Sequence, residues 1–212
     1  MRGFLTVLLL TLLSIYFLGA SLLKLPFIQI KRYDVYGLRP SELPKVEELL
    51  REKGKLLLVL PEELLLKEVN RVFYNRFKSV ELKRHFGLDG ASLVLVFHRR
   101  EPFALLKTPE GSALVDEEGV VFVDEGARPG LVLSLKTDKP FKKYWPVIKR
   151  LLSGGRELTL EKHRSLLKAE GKLFVLPSVE LLTGRHARLV EYAKGTEGKE
   201  IDLRYESFIL LR

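Results

Sequence analysis

Cysteine is missing from all 212 residues. That excludes a disulfide framework, a lipid-modified N-terminal cysteine, thiol catalysis and cysteine-based zinc sites. Methionine and tryptophan occur once each. With abundant Lys, Arg and Glu, this composition leans towards a thermophile. The four histidines, His85, His98, His163 and His186, form no HExxH pattern. Two fall in predicted strands, His163 follows one and His186 opens a helix, so each reads as a structural or surface residue rather than a metal ligand or base. There is no GxGxxG and no phosphate-binding loop with lysine; Gly154-Gly155 reads as a turn. Cofactor and metal sites therefore have no candidate residues, and a small-molecule substrate has no motif to receive it.

Charge is absent from residues 3–23, GFLTVLLLTLLSIYFLGASLL. About 20 helical residues at 1.5 Å each span the ~30 Å of a bilayer core, so this run predicts a transmembrane helix over residues 1–24. Phe4, Leu8, Leu12, Ile15, Leu18 and Leu22 are its expected lipid-facing residues. Thr6, Thr11, Ser14 and Ser21 cost little if their hydroxyls bond back to the helix. The rival reading is a cleaved signal peptide, whose apolar region would be only about 7–15 residues. Arg2 precedes the run, and Lys24, Lys31 and Arg32 follow it. The positive-inside rule therefore leaves the orientation open.

What is present beyond that run is enough for two small folded units. Hydrophobic residues at 46% and charged residues at 30% describe neither a disordered chain nor a polytopic membrane protein. Residues 27–36 predict a strand stopped at Gly37. Leu43, Val46, Leu49 and Leu50 predict a helix, with Pro44 in its first turn and Gly54 just past its end. Pro61-Glu62-Glu63 opens a second helix, whose expected buried stripe is Leu65, Val69, Val72 and Phe73. Residues 79–85 and 92–99 predict two more strands. The order β-α-α-β-β suits a small α+β domain over residues 25–100, two helices on one face of a three-stranded sheet.

A second unit, residues 101–212, opens at Glu101-Pro102. Residues 103–124 alternate short strands with glycine-containing turns and predict an antiparallel meander. Residues 139–152 are helical in composition, with Pro146 bending or restarting the helix. Strand signals return after Arg156, a short helix is expected over residues 186–194, and EIDLRYESFILLR predicts a long terminal strand. The fold class expected is therefore α+β: a transmembrane helix, the β-α-α-β-β domain, and a mostly antiparallel β domain with one or two helices.

Charge suggests two further readings. The formal net charge is +9. Lys136, Lys139, Lys142, Lys143, Lys149 and Arg150 gather in and before one helix. A solvated face comes first, an acidic protein or lipid headgroups second. Nucleic acid comes last, because no aromatic-basic stacking motif accompanies the run. Asp116, Glu117, Glu118 and Asp124 cluster about a hairpin; exposed turn residues are the plain reading, a catalytic carboxylate pair the sharper one.

The ordered set YDVYGLRPSELPKVEELL, LLLVLPEEL, LVLVFHRREPFALL, ALVDEEGVVFV and EIDLRY resembles the FtsQ/DivIB family of bacterial cell-division proteins, single-span proteins carrying a POTRA domain and then a β domain outside the membrane. The resemblance implies a non-catalytic bitopic membrane scaffold at the division site. It would be single-pass in the inner membrane, with both domains extracytoplasmic. Its implied partners are small bitopic coiled-coil division proteins (FtsB/FtsL or DivIC-like), other divisome members and the lipid bilayer. The apolar end Phe208, Ile209, Leu210 and Leu211 reads either as covered by the unit's own helices and strands or as a strand edge to which a partner adds a strand; the resemblance implies partner binding about this strand, at Arg204, Tyr205 and Ser207, with Phe208 standing where the family has a small residue. The alternatives are a POTRA-containing adaptor for protein assembly or secretion, and an envelope enzyme using the carboxylates of residues 116–124.

Overall fold

A computed structural model describes residues 2–22, 29–205 and 210–211; within the first helix, side chains are described at Val7, residues 9–17 and Gly19. Among the described residues are five α-helices and two sheets. The chain divides into two compact units, Met1–Phe73 with Phe77–Arg99, and Tyr74–Arg76 with Arg100–Arg212.

The expected architecture is corrected at its N-terminus. Helix α1 spans Arg2–Leu22, yet among the described residues no helix is long and apolar enough to cross a membrane. The transmembrane helix, and the single-pass placement that rested on it, lose their support. Of the six residues expected to face lipid, Leu12 and Ile15 are exposed; the side chains of Phe4, Leu8, Leu18 and Leu22 lie outside the described set. Thr11 Oγ1 does bond back to the Val7 carbonyl, at 2.8 Å.

In unit 1, strand β1 (Ile30–Tyr36) is followed by α2 (Leu43–Lys53), a 3-10 turn (Gly54–Leu58), α3 (Glu62–Val72), β2 (Phe77–Gly87) and β3 (Gly90–Arg99). Pro44 stands in the first turn of α2, and Gly54 ends it with φ +51°. Strand β3 is central, parallel to β1 and antiparallel to β2. Val46, Leu50, Leu65 and Val69 from the helices close over Val80, Leu82, Leu93, Leu95 and Phe97 of the sheet. Val72 departs from its expected burial and is exposed. Its neighbour Asn70 turns inward instead, donating to the Phe77 carbonyl at 2.8 Å and accepting from the Phe77 N–H at 2.9 Å. Those two bonds satisfy backbone groups at the start of β2 that no apolar side chain could.

Unit 2 carries a nine-stranded sheet built from β4 (Ala104–Thr108), β5 (Gly111–Val115), β6 (Val121–Phe122), β7 (Val132–Lys136), β8 (Glu157–Glu161), β9 (Arg164–Ala169), β10 (Lys172–Pro177), β11 (Glu200–Asp202) and β12 (Leu210–Leu211). Its spatial order is β12-β11-β10-β9-β8-β7-β4-β5-β6. The meander holds for β4 to β6, which pair antiparallel. Strand β7 then returns to lie parallel beside β4, and it is parallel to β8 as well. Parallel neighbours need a crossover. Helix α4 (Trp145–Gly154) provides one between β7 and β8, and α5 (Gly184–Ala193) another between β10 and β11. Pro146 lies in the first turn of α4, after the 3-10 turn Phe141–Tyr144, so it restarts the helix. Ile148, Leu151, Leu152 and Val190 of these helices share a core with Leu158, Leu167, Phe174 and Leu176 of the sheet.

The terminal strand is also corrected. Regular pairing stops after Asp202, and Leu210–Leu211 pairs antiparallel with β11, Ile201 opposite Leu211 and Asp202 opposite Leu210. The chain end therefore comes back along its own preceding strand. Ile201, Asp202 and Leu203 are all buried, so the expected one-sided alternation does not hold.

Candidate partner-binding edge

Asp202 breaks the strand. Its Oδ1 accepts the backbone N–H of Arg204 at 3.1 Å and the Arg204 Nε–H at 3.0 Å, and its Oδ2 accepts from Arg204 Nη2 at 2.6 Å. A carboxylate that takes the N–H two residues on closes an Asx-type turn. The fork of the guanidinium fits both oxygens of the same group. Hydrogen bonding and charge from Asp202 raise the Arg204 pKa further above its already high ordinary value, which fixes a permanent cation at the bend. Asp202 is 3% exposed at its side chain and Arg204 42%. The anion is thus inside the fold and the cation on its surface. Tyr205 follows, 56% exposed. A bare apolar ring with a phenol at its tip suits a wet interface.

The sequence-derived partner residues divide as follows. Arg204 and Tyr205 stand together at the bend. Leu210 and Leu211 form β12. Ser207, Phe208 and Ile209 lie outside the described residues. The outer side of β12 has no hydrogen-bonded neighbour among the described residues.

The opposite edge of the same sheet is handled differently. Tyr74–Arg76, part of unit 2, runs along β6. The Val123 N–H donates to the Tyr74 carbonyl at 3.3 Å, Asn75 Nδ2 to the Val121 carbonyl at 3.4 Å and Arg76 Nε to the Val123 carbonyl at 2.9 Å. Arg100 holds this cover in place: its N–H donates to the Arg76 carbonyl and its Nε to the Asn75 carbonyl, both at 3.0 Å. Sequence reading missed these residues. The available signal was Tyr74-Asn75 after a helix; both take positive φ, +50° and +59°, and asparagine tolerates that region better than most residues.

Asp116 explains the acidic hairpin. It is buried, unlike the exposed turn residue expected. Oδ1 accepts from the Glu118 and Val120 N–H groups, each at 2.9 Å, and Oδ2 from Arg100 Nη1 at 2.6 Å. Glu117 gives its carbonyl to Trp145 Nε1 at 2.9 Å and its carboxylate to Lys149 Nζ at 3.3 Å. Asp124 Oδ1 accepts the Gly126 N–H at 3.2 Å. These bonds shape the hairpin and join it to α4. The histidines follow the same pattern: His98 Nε2 meets Glu81 Oε1 at 3.0 Å, and buried His186 pairs through Nδ1 with Thr183 at the start of α5.

No protein-family model matches the chain. An uncharacterized protein of Aquifex aeolicus (strain VF5) is 32% identical over 213 residues, an alignment covering 100% of this chain and 99% of that one.

Proposed function

The chain belongs to the same family as that uncharacterized Aquifex aeolicus protein, and we propose that its members are non-catalytic scaffolds of the bacterial cell-division machinery. The reading places both units on the extracytoplasmic side of the inner membrane at the division site, recruiting and bridging other division proteins. The partners it implies are small coiled-coil proteins of the FtsB/FtsL or DivIC kind.

The observation that supports this reading best is the asymmetry of the nine-stranded sheet. One edge is covered by Tyr74–Arg76, while β12 has no hydrogen-bonded neighbour among the described residues. Sheet edges are normally blunted, and an open one is a template for strand addition. A partner strand laid against β12 would gain main-chain hydrogen bonds. Arg204 and Tyr205, presented beside it, would select for an acidic and aromatic-accepting sequence.

Two experiments test the reading. Truncating after Tyr205 removes β12; capture of the coiled-coil partner by the full-length protein should be lost in the truncated one while unit 1 keeps its fold. Undiminished capture by a folded truncated protein removes β12 from the interface. Depletion in the host should block septation, and normal septation would overturn the division role itself. A reporter active only outside the cytoplasm, fused after Arg212, checks the side on which the units stand.

A further inference from the structure

One end of unit 1 exposes more apolar surface than its fold requires. The β2–β3 hairpin turns through Leu88 and Asp89, with Gly87 opposite Gly90. Two-residue hairpin turns are ordinarily filled by Gly, Asn and Asp. Here a leucine occupies the tip and is 96% exposed. Phe86, on the same side of β2 as Val80 and Leu82, has passed beyond the helices that bury those two and is 58% exposed. Arg84 lies between them. It reaches across to the link between α2 and α3, its Nε donating to the Leu57 carbonyl at 3.1 Å and its Nη2 to the Leu60 carbonyl at 2.5 Å. That link carries Leu56 and Val59, also well exposed. Leu88 and Phe86 thus stand exposed at the hairpin end of the sheet, and Arg84 ties to β2 the link that carries Leu56 and Val59. Exposed apolar residues scattered singly need no explanation, but a collected group marks an interaction surface.

Basic side chains outnumber carboxylates around this end, where Glu62 and Glu63 open α3 just past the link and Glu62 accepts the Leu82 N–H at 2.8 Å. Lys31 flanks the turn, since a Cβ on Gly90 would lie 2.9 Å from its Cγ. Lys55 belongs to the link, and Lys83 and Arg84 precede the tip. Asp89 is the acidic residue of the turn itself. The group is also convex: a two-residue turn projects from a sheet end and offers a rigid protein partner no groove.

We propose that this end of unit 1 sits in the headgroup layer of an anionic lipid surface, with Leu88 and Phe86 entering the acyl boundary and the flanking lysines at the phosphates. A fluid surface can close around a convex tip. Basic residues beside inserted apolar ones add electrostatic attraction to area burial. The contact needs neither a membrane-crossing helix nor the β12 edge, so it stands or falls apart from the division role.

The absence of native cysteine permits a direct test. Leu88→Cys in the full chain takes a single environment-sensitive NBD label. A second preparation carries the label through Glu110→Cys in the β4–β5 turn of unit 2. With vesicles of phosphatidylglycerol and phosphatidylethanolamine, the label at 88 should shift to the blue and be quenched by doxyl-labelled lipid, and the label at 110 should do neither. The shift should shrink in phosphatidylcholine vesicles, in high salt and in a Leu56→Ser/Val59→Ser background whose circular dichroism is unchanged. Identical behaviour of the two labels overturns the proposal. So does a blue shift at 88 that grows with protein concentration without lipid, because the occupant is then a second copy of the chain.

Discussion

Asp116 shows how one side chain can carry the hairpin that starts unit 2. It accepts two backbone N–H groups and the Arg100 guanidinium, with side chains 7% and 11% exposed respectively. Removing one partner of a buried pair strands the other charge, at a cost of about 3–5 kcal/mol. Asp116→Ala should therefore destabilise unit 2 by that order in urea unfolding. Asp116→Asn, which keeps the carbonyl acceptor, should cost less than the alanine. Equal losses would mean that the backbone bonds contribute nothing beyond the ion pair. Arg100 also holds the cover on β6, so the effect should extend to hydrogen-exchange protection of the Val123 N–H, which bonds to Tyr74.

The β5–β6 hairpin and α4 meet at Gly119. Its φ is +78°, and a Cβ there would approach Trp145 Cγ to 2.7 Å. Backbone strain and collision act together, because an L-residue pays for left-handed φ and the indole cannot retreat: its Nε1 is bonded to the Glu117 carbonyl and its ring packs edge-on against Phe103 and Phe141. Gly119→Ala should cost at least the ~1–2 kcal/mol of forced left-handed backbone and shift the emission of the sole tryptophan. An unshifted spectrum at wild-type stability would mean that the hairpin moves freely over α4. Elements of this kind were legible in the sequence where one period or one terminator decides them. Val80 and Leu82 alternate as read, Pro44 and Gly54 mark α2, and Pro146 restarts a helix. Legibility failed where a partner distant in sequence decides. Asn70 outcompeted Val72 for the interior because Phe77 offered it a donor and an acceptor. The end of β11 depends on a local carboxylate that the alternating pattern concealed. Arg204 and Tyr205 could be picked out as neighbours of an edge, but the cover on the other edge comes from a loop about 47 residues away, which no periodicity reveals.

At the scale of the whole molecule, the described residues form two cores with no residue in common. One gathers the α2, α3 and β1–β3 side chains, the other α4, α5 and the large sheet. Leu95 lies at the centre of the first, fully buried, opposite Val35 on one side and Leu82 on the other. Truncating such a leucine removes transfer energy and leaves a cavity, about 2–5 kcal/mol in all. Trp145 lies in the second core, 5% exposed, and is the only tryptophan in the chain. Its fluorescence therefore follows unit 2 alone, whereas far-ultraviolet circular dichroism follows both. Leu95→Ala should move part of the dichroism transition to lower urea and leave the tryptophan midpoint where it was. If the two signals shift together by the same amount, the chain unfolds as one cooperative block. Cores that share no side chain would then be coupled through the backbone that joins them.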